Sequence, residues 1–347
     1  MNYDKIFKKL VVISLVLIYL IIVAGAVVRM TGSGMGCPDW PKCFGYFIPP
    51  TNIDQIKWKP NHVYQQGTIV IMDKELRLAG SNFTSGPTYN QNNWETYTKH
   101  DYAEFNVWHT WIEYINRLVT VLSGLPILLM FLLSFRYATK NRKITALSIL
   151  TIFAMLFQAW LGKIVVDTNL APVRITVHMV VAFLIVGILL MILHELQPKV
   201  KSIQVSNTFK SLLLFSVVLT LIQVMMGTQV RQYVDEQIKL LTTRSNWLSP
   251  APIIFYIHRS FSVLVVIVNG WLYLQNRTLR LKISKLKWVL YLLILEVFTG
   301  VVMYYFDFPF LSQPLHLVFA SLLFGIQFYI VLEVFSKLPQ SKLMKLS

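Results

Sequence analysis

Two short stretches of the chain share a motif and differ at one residue that decides whether a metal can be bound. Positions 113–117 read EYINR and positions 256–259 read YIHR, so Asn116 stands where the later stretch has His258. An imidazole nitrogen is a common metal ligand, and a neutral amide is a poor substitute. The motifs therefore predict two related sites, of which the second has a histidine ligand that the first lacks.

Three further correspondences follow in the same order in the two parts of the chain. They are GAVVR at 25–29 with GTQVR at 227–231, Gln158 and Glu296 each four residues before a glycine (Gly162 and Gly300), and His178 and His316 each sixteen residues after that glycine. Ordered internal repeats indicate duplication of one structural unit. We interpret residues 1–200 and 201–347 as two copies of a four-helix unit with the same topology.

The composition places these residues in a membrane. Of 347 residues, 55% are hydrophobic and 14% are charged, and the mean hydropathy is +0.56, above that of ordinary soluble domains. Apolar runs of about 20 residues are long enough to cross a bilayer as helices. They lie at about 11–30, 111–134, 145–166, 175–194, 211–230, 252–274, 288–305 and 314–335. The sequence predicts an all-α integral membrane protein whose eight transmembrane helices form two tandem, pseudo-symmetric four-helix bundles.

The basic residues predict the orientation of the spans. Lysines and arginines cluster before span one, between spans two and three, four and five, and six and seven, and after span eight. Basic residues near span ends stay on the cytoplasmic side, so both termini are predicted to be cytoplasmic and the connection from about residue 31 to 107 extracytoplasmic. Topology also accounts for the net charge of +16 better than nucleic-acid binding does.

The only cysteines of the chain are close together in that connection. Cys37 and Cys43 flank proline-containing turn sequence in the stretch TGSGMGCPDWPKCFG. Neighbouring cysteines in an oxidising compartment predict a disulfide. The sequence leaves open whether the bond is redox-active or only structural.

The histidines of the second half are predicted to bind a haem. His258 and His316 lie at equivalent depth on alternate helices of one predicted bundle, which lets two imidazoles approach an iron from opposite faces. Polar residues in spans usually face the bundle interior and serve a site. Arg259 in this half, and Arg117 and Arg174 in the first, are candidates to meet haem propionates; the alternative is that each is an interfacial residue whose charged end reaches water.

Together these residues resemble the haem A synthase family almost over the full length of the chain. The resemblance is carried by VRMTGSGMGCPDWPKC after span one, the E-Y-I-x-R motif of span two, and the histidines of spans four, six and eight. It implies that the second half holds a permanent haem b between His258 and His316. It also implies that the first half receives haem O and oxidises one ring methyl to a formyl group, giving haem A for cytochrome oxidase.

The first half departs from the family pattern at one position. Glu113 matches the functional glutamate of the family and His178 matches one substrate-side histidine, but Asn116 stands where the other would be. His109 shares a helix face with residues 113 and 116 and either replaces the missing ligand or lies at the water interface. Glu113 has no obvious basic neighbour on its own helix face, which makes a carboxylate there costly unless it is used.

Two other classes of protein would also need these histidines: a di-haem b-type membrane electron carrier, and a haem-binding assembly or transport protein without catalysis. Neither requires Glu113 in one half and Phe255 at the equivalent place in the other. This asymmetry favours an enzyme with one cofactor site and one substrate site. The expected partners are haem O and the enzyme that makes it, in a bacterial inner membrane; the electron donor, the oxygen source and the oligomeric state, including a homo-oligomer, stay open.

Overall fold

The computed structural model describes residues 3–73, 75–98, 104–168, 170, 172–197, 203–240 and 243–336. The basic residues predicted to be cytoplasmic after span eight, and those at 199 and 201, lie outside the described residues.

Eight long helices dominate the described part of the chain. They are Tyr3–Met30 (α1), Val107–Ser134 (α2), Arg142–Asp167 (α3), Pro172–Glu195 (α4), Asn207–Lys239 (α5), Ile253–Thr278 (α6), Lys285–Tyr305 (α7) and Ser312–Phe335 (α8). All eight are long and apolar enough to cross a membrane. The prediction of an all-α integral membrane protein with eight spans is confirmed. The helices extend beyond several predicted spans because polar ends continue the helical hydrogen bonding outside the apolar window.

The chain divides into two compact units, and the first comprises Met1–Val23, Ser123–Leu156 and Thr176–Ser347. Within it, α5 packs against α6 and α8, α6 against α7, and α7 against α8, which closes a four-helix bundle. Its core is apolar, with fully buried Phe209, Leu213, Leu272 and Val289. The equivalence of this bundle with a first-half bundle stays a prediction.

Two polar contacts lie inside this apolar bundle. Nδ2 of Asn269 donates to the Val265 carbonyl at 2.9 Å, and Nε2 of Gln327 donates to Oδ1 of Asn269 at 2.9 Å. Lys285 of α7 forms an ion pair with Glu333 of α8 at 2.7 Å. Buried polar groups are stable in such a core only when they are hydrogen-bonded, so the Asn269–Gln327 contact helps to set the positions of α6 and α8, whereas the Lys285–Glu333 pair is partly exposed.

The second unit comprises Ala24–Leu122 and Phe157–Ile175. Its connecting segment, residues 31–106 between α1 and α2, contains short antiparallel strands that the sequence analysis did not predict. They are Val63–Tyr64 (β1), Ile69–Met72 (β2), Glu75–Ala79 (β3), Phe83–Thr84 (β4) and Trp94–Thr96 (β5), ordered β1-β4 and β2-β3-β5. Aromatic rings of Tyr64, Phe83, Tyr89 and Trp94 pack around one face, which stabilises strands too short to form alone.

Candidate functional site

The first unit brings together the two histidines that the sequence analysis paired. His258 of α6 and His316 of α8 have ring centres 6.4 Å apart. A metal–nitrogen bond is about 2.0–2.1 Å long. In a five-membered ring with bonds of about 1.33 Å, each nitrogen lies about 1.1 Å from the ring centre. Two imidazoles on opposite faces of one metal ion therefore have ring centres about 6.4 Å apart. The spacing of the two ring centres is therefore compatible with one iron between the rings.

His316 is oriented by two side chains of α7. Its Nδ1 lies 2.8 Å from Oγ1 of Thr299 and 3.1 Å from Oε2 of Glu296. Both contacts engage the same ring nitrogen, which leaves Nε2 for a ligand. Histidines that bind metals usually have their second nitrogen held in this way.

His258 is positioned by α5. Nε2 of Gln223 donates to the His258 carbonyl at 3.0 Å, and a Cβ atom added at Gly227 would lie 3.1 Å from Cε1 of the His258 ring. Nδ1 of His258 is buried and has no hydrogen-bond partner among the described residues. Gly227 therefore provides the close approach that the ring requires, and the ring retains an unused polar atom.

These residues fit a haem better than a metal ion held by protein alone. Within the described part of the chain, no group of three or more histidine, cysteine, aspartate or glutamate residues could hold a metal ion. A haem needs only axial ligands, because the porphyrin supplies the others. Arg259, next to His258, is exposed and its guanidinium lies 5.8 Å from the centre of the Tyr304 ring, so its proposed contact with a propionate stays a prediction.

In the second unit, Glu113 is buried and paired, in contrast to the expectation from the sequence. Its carboxylate forms an ion pair with Arg117 and accepts a hydrogen bond from the Cys37 N–H at 2.8 Å. The statement that Glu113 lacks a basic neighbour on its helix face is wrong, because residues four apart on a helix lie on the same face. Burial alone therefore does not assign a catalytic role to Glu113.

Arg117 also has a role that the sequence analysis missed. Its guanidinium donates to the carbonyls of Asp39 at 2.8 Å, Lys42 at 2.9 Å and Cys37 at 3.3 Å. These carbonyls belong to the disulfide loop, residues 37–43. The same side chain is a candidate for a propionate contact, which stays a prediction, and in this structure it fastens the disulfide loop to α2.

The predicted disulfide is confirmed. Cys37 and Cys43 are bonded with an S–S distance of 2.04 Å, and both are fully or almost fully buried. Asp39 inside the loop accepts hydrogen bonds from the N–H groups of Phe44 at 2.5 Å and Gly45 at 2.9 Å. Burial raises the pKa of the Asp39 carboxyl, while these N–H groups and Arg117 act in the opposite direction.

The loop approaches α2 closely just before Cys37. Oγ1 of Thr110 donates to the Gly36 carbonyl at 2.8 Å, and a Cβ atom at Gly36 would lie 2.4 Å from the backbone of His109. Only glycine permits this approach. The first turns of α2 therefore carry a row of contacts to the loop, from His109 to Arg117.

The remaining predicted site residues lie on α2 and α4. Oδ1 of Asn116 is buried without a hydrogen-bond partner among the described residues, while its carbonyl accepts from Thr120 at 3.0 Å. His109 in α2 and His178 in α4 are half-buried, and Arg174 is exposed. The Asn116 side chain therefore has a buried acceptor that the described residues leave unsatisfied. Ligand roles for His109 and His178 stay predictions.

Fold and site define an eight-helix membrane protein with a paired-histidine site inside a four-helix bundle. The chain matches the family described as cytochrome oxidase assembly protein (COX15-CtaA) over residues 8–77 and 57–328. Similar curated proteins include the haem A synthases of Shewanella oneidensis (27% identical over 217 residues, 62% of this chain) and Ehrlichia canis (24% over 341 residues, 90% of this chain). The chain belongs to the haem A synthase family.

The relatives differ in how far the likeness extends. The match spans 54% of the Shewanella oneidensis protein and 89% of the Ehrlichia canis protein. The haem A synthase of Wolbachia pipientis wMel is 26% identical over 247 residues, which are 63% of this chain and 68% of that protein.

Proposed function

We propose that the protein is a haem A synthase, an oxidoreductase that converts a ring methyl of haem O to a formyl group. The observation that carries the proposal is the His258–His316 pair, whose ring centres are 6.4 Å apart, in a chain of this family. A histidine pair by itself would equally suit a di-haem b-type carrier or a haem-binding assembly protein. Family membership favours the enzyme.

The resident cofactor in this proposal is haem b. His258 and His316 would hold its iron, and Arg259 is the proposed partner of a propionate. Bound haem b supplies one-electron oxidation and reduction. The chain's own contribution is to fix both imidazoles: Gln223 and Gly227 restrict His258, and Thr299 and Glu296 restrict His316.

Glu113 is the proposed catalytic residue for haem O. It would act as proton acceptor or stabilise positive charge as the methyl carbon is oxidised. Arg117 and the Cys37 N–H hold the carboxylate in one orientation. His178 is the proposed ligand of the substrate haem iron. Asn116 stands where a second histidine ligand would be, and an iron held by a single histidine suits a substrate that must leave.

The proposed setting is a bacterial inner membrane with both termini cytoplasmic. In that orientation the connecting segment and its disulfide face the oxidising side, which agrees with the observed Cys37–Cys43 bond. Haem O and the enzyme that produces it are the proposed partners. The electron donor and any homo-oligomer stay open.

The test is haem analysis of membranes that contain the full-length protein together with a source of haem O. Wild-type membranes should accumulate haem A. Glu113→Gln, which keeps an acceptor for the Cys37 N–H, should retain the haem b spectrum while haem A formation falls about a hundredfold or more. Glu95→Gln, an exposed carboxylate of the same unit, is the matched control and should behave as wild type.

Two outcomes would contradict the proposal in different ways. Wild-type membranes with a haem spectrum that depends on His258 and His316, but without haem A, would support the electron-carrier alternative. Haem A formation at the wild-type rate in the Glu113→Gln variant would remove Glu113 from the reaction while leaving the enzyme assignment intact.

A further inference from the structure

Glu296, which restricts the His316 ring, is a carboxylate in the interior of the α5–α8 bundle. It lies in the middle of α7, and its side chain is 14% exposed. Its Oε2 atom is 3.1 Å from Nδ1 of His316. A carboxyl group among membrane-spanning helices is costly and is usually retained for a function.

Thr299 bears on which nitrogen of His316 carries the proton. Oγ1 of Thr299 lies 2.8 Å from the Leu295 carbonyl and 3.1 Å from the Glu296 carbonyl, and a carbonyl only accepts hydrogen bonds. When the single hydroxyl proton points to one of these carbonyls, Oγ1 accepts from Nδ1 of His316 at 2.8 Å. A ligand role for Nε2 of His316 requires this arrangement, in which the proton of the neutral ring is on Nδ1.

The position of that proton determines how His316 can bind iron. With hydrogen on Nδ1, the lone pair of a neutral imidazole is on Nε2. The Nδ1–H group then points toward both Thr299 and the Glu296 carboxylate, and a carboxylate that accepts from a ligand histidine fixes the ring and raises its basicity. In this tautomer, Thr299 and Glu296 both accept a hydrogen bond from Nδ1–H of His316.

We propose that Glu296 is a positioning residue that acts through His316 to strengthen ligation of the ferric haem and to lower its reduction potential. The inference rests on the proposed function, because it requires His316 to be an axial ligand. Hydrogen bonding to axial ligands is one of the means by which proteins set haem potentials. A more basic imidazole stabilises the more highly charged iron, which is the ferric form.

The sequence pattern of the two halves agrees with this assignment. Gln158 stands in the first half where Glu296 stands in the second, each four residues before a glycine. An amide oxygen at that position is a weaker hydrogen-bond acceptor than a carboxylate oxygen. The half proposed to keep its haem has the carboxylate, and the half proposed to release its haem has the amide.

The experiment compares haem potential and haem retention in full-length variants purified with bound haem. Glu296→Gln keeps an acceptor of nearly the same shape, and an amide oxygen accepts more weakly than a carboxylate oxygen. We expect it to keep the low-spin spectrum and to lose about tenfold in ferric relative to ferrous affinity, a rise of about 59 mV for a one-electron couple. Glu296→Ala removes the acceptor as well and should lower haem affinity by about ten- to hundredfold.

Glu333→Gln is the matched control, because it removes one carboxylate from the same bundle by breaking the ion pair with Lys285. It should leave the potential at the wild-type value. The inference is overturned if Glu296→Gln, with its haem bound, has the same potential as Glu333→Gln. If the His316→Ala variant instead keeps all the haem of the wild-type protein, or the wild-type protein binds no haem, the proposed cofactor site itself is wrong.

Discussion

Replacing Arg117 by Ala should free the disulfide loop and expose its disulfide to reductant. Both cysteines are buried, with exposed fractions of 0% for Cys37 and 1% for Cys43. A reductant therefore reaches the bond only when the loop opens locally. Arg117 opposes opening through three carbonyl contacts and the ion pair with Glu113.

The size of the effect follows from these contacts. Hydrogen bonds that involve a charged group contribute about 1.5–3 kcal/mol each, and loss of one partner of a buried ion pair costs about 3–5 kcal/mol. The contributions share one side chain and do not add, so we take the lower end of the range, about 3 kcal/mol. At about 1.4 kcal/mol per factor of ten, the open population should rise on the order of a hundredfold.

The assay follows the reduction of the full-length protein over time. Samples are treated with a phosphine reductant, alkylated, and the linked and alkylated peptides of the disulfide loop are quantified by mass spectrometry. Arg117→Lys keeps the charge and loses the forked geometry, so its rate should lie between wild type and Arg117→Ala. Arg77→Ala removes an arginine that contacts Glu75 and Thr96 on the sheet of the same unit and should reduce at the wild-type rate. Equal rates for Arg117→Ala and wild type would refute the fastening role of Arg117.

Two further predictions concern the α5–α8 bundle. Gly227→Ala places a Cβ atom 3.1 Å from the His258 ring and should lower the haem-to-protein absorbance ratio. In the control variant Gly270→Ala the new Cβ atom meets nothing within 4 Å, so the haem ratio should be unchanged and the helix should gain roughly 1 kcal/mol of stability. Equal haem ratios in the two variants would contradict the prediction for Gly227. Asn269→Leu leaves the Gln327 amide without its acceptor and should cost about 1–3 kcal/mol in thermal unfolding in detergent. Adding Gln327→Leu should recover part of that loss, and a further drop would show that the pair is not coupled.

The membrane helices could be predicted because their signal is local. A run of about 20 apolar residues is sufficient to span a bilayer, and all eight predicted runs are helical. The strands of the connecting segment could not be predicted in the same way. β2 and β3 have only 4 and 5 residues, and their pairing depends on aromatic packing that is visible only in three dimensions.

Those residues of the candidate site that lie in the internal repeat could be predicted from the sequence. The repeat pointed to His258 and His316, and it also contained Gly227 and Glu296, whose contacts with those rings are new. Of the two partners of Glu113, one could be predicted from the sequence and the other could not. Arg117 could have been found from the four-residue helical spacing, whereas the Cys37 N–H comes from 76 residues earlier and no local pattern predicts it.

The contacts between the disulfide loop and α2 have a consequence for the order of events during biosynthesis. The cysteines are six residues apart in sequence, but the Gly36 carbonyl is bound by Thr110, which lies 74 residues later. At about 5–20 residues per second, roughly 3–13 s separate the appearance of the second cysteine from that of Thr110. The nascent loop must therefore wait, accessible to oxidants and to wrong partners, until α2 emerges and fixes it in place.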